Sequence, residues 1–408
     1  MSKAGRAGAV TSATFVLAAA AACGDLLGIN DRSLDTQGDG GVVGADSSVG
    51  VDSSVAEGGP AEGGASAAAA DAPSESSTTG DSGVVDAALC PTPCPVVTGL
   101  DLPLDVTSDS NNVYWTEFGD TFGAVNGSVK SCPLSGCSGA PKVYATGQPN
   151  PGQLASDGAN LYWSADAPGT GGGGIYYCPV TGCLAGPKLL VGAELPWGIA
   201  LDATYVYFVS QNDMSLHRVP KAGGADDTLW DGGDSGIYYP VSCAADDASV
   251  YVLDQNSSLF RVPLGGGDGV TLYDNGAYSG VSDQGHLLLD PKRAIFGDGY
   301  LGVLVAASKT TADASVALVP ALQNPVGVAQ DPATSDIYWT DLGSGLAHDG
   351  SIGRARSDGT NTTIVANGLV DPTALTVGGG YVYWVEPGPT GDAGLYETNA
   401  GTLYRAPK

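Results

Sequence analysis

Residues Ser108–Thr116 read S-D-S-N-N-V-Y-W-T, and variants of this stretch return until the chain ends. The tyrosine place is filled in turn by Tyr114, Tyr162, Tyr207, Tyr251, Ile295, Tyr338 and Tyr383, so the unit recurs every 43–48 residues. Self-similarity at such a period marks a repeat architecture, in which one unit cannot bury its apolar face alone and does so against its neighbours. An aspartate precedes the aromatic place by five residues in five of the seven copies: Asp109, Asp157, Asp202, Asp246 and Asp290. The copy around Asp331 carries a two-residue insertion, and the last copy has Gly378 instead.

Outward from this stretch, each unit reads as a short apolar strand ending in Asp, a tight turn, the V-Y-W-T strand, a Gly-rich loop, a third strand, a second turn and a final strand. Four short strands in about 45 residues match one blade of a β-propeller. The third strands align as Ser128-Val129-Lys130, Gly174-Ile175-Tyr176, Ser215-Leu216-His217-Arg218, Ser258-Leu259-Phe260-Arg261, Ser351-Ile352-Gly353-Arg354 and Thr402-Leu403-Tyr404-Arg405. The unit around Ile295-Phe296 is the most degenerate, and Leu287–Asp290 fixes its place. The expected fold class is therefore all-β, a seven-bladed propeller over residues 90–408. The last unit ends after its third strand, so Pro95–Leu100 is expected to supply the fourth and close the ring, which removes open sheet edges.

This pattern resembles the YWTD and related NHL-like propeller families. Trp115, Trp163, Trp339 and Trp384 hold the tryptophan place, and acids follow at Glu117, Asp254, Asp298, Asp341 and Glu386. The resemblance implies a structural motif, with aromatics packed between blades and the acid fixing neighbouring backbone. It also implies six blades as an alternative to the seven units counted here.

Composition bounds the function. Of 408 residues, 62 are Gly and only 15% are charged, which suits an all-β protein rich in turns. A formal net charge of -28 with only 16 Lys and Arg argues against DNA or RNA as partner, because affinity for phosphate backbones needs clustered cations. Residues 1–22 read as an export signal: Lys3 and Arg6 open it, Ala7–Ala22 is apolar and too short for a span, and small residues run up to Cys23. Cys23 after that run resembles the lipobox of bacterial lipoproteins, which implies lipidation at Cys23, although Ala20 stands where Leu is usual. Residues 23–89 are a low-complexity Gly, Ala, Ser, Asp and Val segment, expected to be a disordered tether reaching roughly 45 Å. The expected location is the cell envelope, anchored by lipid on its periplasmic or surface side, and the protein is expected to be a monomer.

Cysteine placement suits an oxidising compartment. Cys132-P-L-S-G-Cys137 and Cys178-P-V-T-G-Cys183 fall at one place in consecutive units, and Cys90-P-T-P-Cys94 precedes the closing strand. Three local disulfides follow in an exported chain, with Cys243 left as a buried free thiol. Zinc binding by four of these cysteines is the alternative, opposed by the shortage of nearby His.

Catalytic constellations are few: no nucleophile elbow, P-loop or zincin motif is present, and the histidines number three. No cofactor or metal is expected. The long loops 117–126, 166–173, 341–350 and 386–401 share one face, and they carry Glu117, Asp120, Asp166, Asp341, Asp349, Glu386 and Asp392. With His286, His348 and the aromatic Trp197, these are the candidate ligand residues, favouring a basic or polyhydroxyl ligand. The leading reading is a non-enzymatic scaffold that binds a protein, peptide or glycan. The alternative is a lyase or hydrolase resembling seven-bladed streptogramin lyases, acting through His286, His348 and nearby carboxylates.

Overall fold

A computed structural model describes residues 93–119, 124–167, 172–232, 236–276, 280–282, 284–344, 348–389 and 396–408. The expected signal, Cys23, the tether and Cys90 lie outside them, as do Asp120 and Asp392. Seven four-stranded antiparallel sheets form seven blades, not six. Blade 1 comprises Pro103–Ser108, Asn112–Glu117, Gly127–Pro133 and Lys142–Gln148. Blades 2 to 6 span 151–192, 196–230, 240–273, 288–319 and 325–369. Blade 7 takes Leu375–Gly378, Tyr381–Glu386 and Gly401–Pro407 from the end of the chain and Cys94–Leu100 from its beginning. The closing register pairs Cys94 with Arg405 and Leu100 with Gly401, so the expected closing strand is in place. First strands of successive blades contact one another all the way round, which makes them the wall of the central channel.

The Y-W dipeptide explains why the blades stack. Adjacent residues of a strand point to opposite faces of a sheet, so each blade offers its tyrosine to one neighbour and its tryptophan to the other. Tyr114 shares a core cluster with Trp163, Tyr162 with Phe208, Ile295 with Trp339, Tyr338 with Trp384, and Tyr383 with Trp115. Tyr207 and Tyr251 meet Val252 and Phe296 in the cluster that joins blades 3 to 5. Across its own sheet, the tryptophan place stacks on the third-strand residue opposite. Trp163 lies on Tyr176, Trp384 on Tyr404, and Phe208 on His217 at 5.0 Å between centroids. In blade 6 the opposite residue is Gly353, where a Cβ would stand 2.1 Å from Trp339.

The aspartate of the repeat builds its tight turn. Asp109 accepts from the amides of Asn111 and Asn112 with one oxygen, and from Tyr114 Oη at 2.6 Å with the other. Asp157, Asp202 and Asp246 repeat this with Tyr162, Tyr207 and Tyr251. Burial works to raise the Asp109 carboxyl, but the Tyr114 hydroxyl and the two amides outweigh it and hold it below its ordinary value. Where the partner changes, the aspartate adapts. In blade 5, where Ile295 has no hydroxyl, Asp290 takes Arg293 Nε at 2.7 Å. In blade 6 the insertion moves Asp331 away, so it binds Lys408 Nζ at 2.9 Å, and the buried Tyr338 hydroxyl has no hydrogen-bond partner.

Gly378 stands in place of the last aspartate because Leu134 of blade 1 occupies that space, 3.3 Å from where a Cβ would be. Tyr383 then donates to Leu134 O, as does Arg405 Nη1 at 3.0 Å. Leu134 lies in the loop closed by the Cys132–Cys137 disulfide, so that bridge shapes the surface on which the ring closes. Cys178–Cys183 repeats it in blade 2, and Val180 O within it accepts from Tyr144 Oη of blade 1 at 2.7 Å. Cys94 is also disulfide-bonded. Cys243 is a buried free thiol, as expected. Its burial pushes its ionisation well above the ordinary value.

Candidate functional site

The acids after the tryptophan place turn inward. Glu117 Oε1 accepts from Trp115 Nε1 at 3.0 Å, and its Oε2 from the amide of Asp101 and from Lys130 Nζ. Glu386 repeats this with Trp384 Nε1 and the amide of Val370. Asp341 holds the amides of Gln323 and Asn324, and Asp254 those of Tyr238 and Ser258. Each clips the connection that leads into its blade. That connection is strained: Leu102, Asn150, Leu195, Tyr239 and Asp371 have φ between 38° and 52°, each just before the proline that precedes or opens an inner strand. A non-glycine residue there costs on the order of 1–2 kcal/mol. In blades 1, 4 and 7 the clip offsets that cost.

Glu117, Asp341 and Glu386, expected on a ligand face, are therefore buried at 3%, 6% and 6% exposure and hold backbone. Burial pushes Glu386 up to about 7, against the hydrogen bonds from Trp384 and Val370. Burial likewise raises Asp166 to about 6, against the amides of Leu195 and Ala167. Trp197 is core, 3% exposed. Asp349 accepts from the amide of Ser344 beside the exposed His348.

His286 goes elsewhere. Aligned on the repeat aspartate, it occupies the same inner-strand place as Asp105 of blade 1 and Gln153 of blade 2. Blade 5 keeps only Leu288–Leu289 as regular inner strand, and the segment before it crosses the channel. His286 Nε2 lies 2.9 Å from Asp105 Oδ1, while Gln153 Nε2 donates to Val241 O and Gly285 O. Burial opposes charge on His286, but Asp105 outweighs it and raises its pKa. Among the described residues His286 and His348 thus share no carboxylate. Among the described residues no group of three or more His, Cys, Asp and Glu has the geometry to hold a metal.

What the sequence reading passed over is a cavity of about 370 Å³ between blades 2 and 3. The clip position explains it. Blades 1, 4, 5, 6 and 7 place Glu or Asp two residues after the tryptophan place, but blade 2 has Ala165 and blade 3 has Ser210. Of these two Ser210 lines the cavity, and its small side chain leaves room there. Ser210 Oγ donates to Glu194 O at 3.1 Å in place of the clip. Phe208, Ser210 and His217 are buried in its wall, whereas Glu194, Asn212, Asp213 and Asp226 are exposed around it. His217 Nε2 is 2.5 Å from Ser215 Oγ and 3.3 Å from Asp213 Oδ2, and Nδ1 is 3.2 Å from Asp226 Oδ2. The order hydroxyl, imidazole, carboxylate is that of a serine hydrolase. Ser215, however, is 2% exposed, is no part of the cavity wall, and donates to Asp213 Oδ1 at 2.5 Å. The arrangement holds His217 rather than arming a nucleophile. Asp213 is lowered: burial opposes this, and Ser215, Ser210 and His217 outweigh it.

With this geometry the chain is a seven-bladed β-propeller that contains a YWTD-type repeat. The Low-density lipoprotein receptor repeat class B family matches residues 335–377, from just before the second strand of blade 6 into the first strand of blade 7. No curated protein matches the chain. Among solved structures it is similar to a virginiamycin B lyase from Staphylococcus aureus, at 15% identity and TM-score 0.55, covering 75% of this chain and 97% of that one. A streptogramin B lyase is similar at 16% identity and TM-score 0.56, covering 77% and 96%. At these identities the likeness is one of fold.

Proposed function

We propose that this is an exported, lipid-anchored envelope protein whose propeller binds a protein, peptide or glycan through the face of its second-to-third and fourth-to-first connections. The observation that carries the reading is the cavity between blades 2 and 3, which opens among these connections at Ala167, Gly173, Ala193, Glu194, Asn212 and Asp213. The opposite face is occupied by contacts between blades. Lys221 reaches Asp157 at 2.8 Å, Lys309 reaches Asp246 at 2.7 Å, and Lys408 reaches Asp331 at 2.9 Å. Backbone carbonyls of Val180, Leu264, Ser357 and Leu134 accept from the neighbouring blade at the other four junctions. The disulfides Cys132–Cys137 and Cys178–Cys183 support an oxidising compartment. A lyase or hydrolase acting through His286 and His348 is less well supported, because Asp105 holds His286 in the channel.

Two experiments test this. Cys23→Ser is expected to move the protein from the membrane fraction to the soluble one; unchanged fractionation refutes the anchor. Shortening loops 166–173 and 211–214 should abolish capture of envelope partners while thermal stability is kept. Retained capture, with loss when loops 133–136 and 179–182 are altered instead, would put the site on the opposite face.

A further inference from the structure

We infer that the cavity between blades 2 and 3 binds an organic cation, a guanidinium or ammonium group presented by a basic peptide; the inference rests on the binding reading above and names the chemistry of its ligand. Its volume of about 370 Å³ lies within the range of about 300–1,000 Å³ of small-molecule sites. The space has a cause in the chain: Ser210, in the cavity wall, stands where five blades carry an acid. Nothing refills it. Gly173 and Gly192 line the cavity, and a Cβ on Gly192 would meet nothing nearer than Gly173 O at 3.9 Å.

Charge selects the ligand class. Glu194, Asp213 and Asp226 bring three carboxylates to the wall, which contains no Lys or Arg. His217 supplies at most one positive charge, so the cavity stays negative in either of its protonation states. An anion is disfavoured there, and a neutral apolar ligand would have to strip water from three carboxylates without replacing their hydrogen bonds. The carboxylates are ranged around the cavity rather than converged on one point, since no metal-holding group occurs among the described residues. That suits a spread donor such as guanidinium. The floor is fixed for a flat group: Phe208 is fully buried and stacks on His217 with 9° between planes. His217 is pinned through both ring nitrogens by Ser215, Asp213 and Asp226, so the platform is pre-organised and loses little freedom on binding.

The test uses the full chain and two capped peptides, acetyl-Gly-Arg-Gly-amide and its citrulline counterpart, which has the same shape without the charge. Calorimetry at low ionic strength should show the arginine peptide binding about tenfold more tightly. Glu194→Gln, which breaks no side-chain hydrogen bond among the described residues, should weaken it about fivefold. Gly192→Leu should abolish it with the melting temperature kept. Equal affinity for the two peptides, or arginine binding undiminished in both variants, overturns the inference. Should Gly192→Leu fail to fold, Glu194→Gln decides alone. Failure of the peptide arm together with retained loop-dependent capture overturns only the ligand class. Peptide binding without loop-dependent capture overturns only the wider reading.

Discussion

Asp105→Asn should be among the most damaging single-atom changes in this chain. Three donors converge on the Asp105 carboxylate: Val106 N at 2.7 Å and His286 Nε2 at 2.9 Å on Oδ1, and Leu154 N at 2.8 Å on Oδ2. They come from its own strand, from blade 5 across the channel and from blade 2, so one side chain joins three blades. Asparagine keeps one acceptor and points an NH₂ at a second donor. Removing one partner from a buried ion pair costs about 3–5 kcal/mol, but His286 is 22% exposed and can partly rehydrate. The expected loss is therefore about 2–4 kcal/mol. Urea unfolding followed by tryptophan fluorescence measures it, and a cycle with His286→Gln isolates the pair from the Leu154 contact. The pH dependence fixes the sign. A histidine whose folded pKa is raised contributes stability that is full below its unfolded value, near 6.5, and is lost as pH rises through the folded value. The coupling should accordingly be larger at pH 6 than at pH 9. A coupling under about 0.5 kcal/mol at pH 6, or one equal at both pH values, refutes the argument.

Asp341→Glu should stabilise the fold by about 1 kcal/mol in the same unfolding assay, because the extra methylene lets the carboxylate reach Trp339 Nε1, which is buried without a partner, as Glu117 and Glu386 reach theirs. Glu386 is raised to about 7. It therefore binds a proton in the folded state that the unfolded chain has released, and stability falls as pH rises from about 4.5 to about 7. Glu386→Gln removes that slope, so its melting temperature relative to wild type should climb between pH 5 and pH 8, and a flat difference would contradict the buried acid. Deleting residues 24–80 should leave the melting temperature nearly unchanged. Deleting 24–102 removes the buried Val96, Val97 and Leu100, roughly 5–8 kcal/mol of apolar burial, and opens the Gly401–Pro407 edge, so aggregation by light scattering is expected.

Much of the ring was legible because its devices are local and repeated. The Asp-to-Tyr spacing encodes a turn and its hydroxyl tie within one hairpin, and the Y-W dipeptide encodes which neighbour each aromatic faces. Even the closing strand could be read, since blade 7 ran out of residues. The acids were harder. Spacing places Glu117, Asp341 and Glu386 at the end of the second strand, next to the long loops, but not which way the carboxylate turns. That depends on strained junctions such as Leu102 and Asp371, whose positive φ leaves no mark in a single sequence. His286 was misplaced for a related reason: the alternating pattern sets its strand position, whereas its partner Asp105 is 181 residues away and is met only when the ring closes.

In a closed ring of repeats, every position answers to the same neighbours, so departures from the repeat are where individual function can enter. Three departures stand out, and the structure treats them differently. Blade 5 has Gln284 in place of the proline, and it sends His286 to Asp105. Blade 7 loses its aspartate at Gly378, and Leu134 fills the gap and receives Tyr383 and Arg405. Both are compensated by contacts that hold the ring together, which marks them as solutions to closure. Blades 2 and 3 lose the clipping acid at Ala165 and Ser210. There Trp163 Nε1 finds Gln148 Oε1 at 3.3 Å, so the local hydrogen bonding is repaired. Beside Ser210 the volume is not: the structure leaves open space bordered by three carboxylates and floored by a pinned imidazole. A departure repaired in its hydrogen bonds but not in its packing is what a binding site requires, because packing density elsewhere is what stabilises the fold. The signal was present in the alignment of the units as two small residues among five acids, and it becomes readable once the acid is understood as a clip rather than as part of a ligand face.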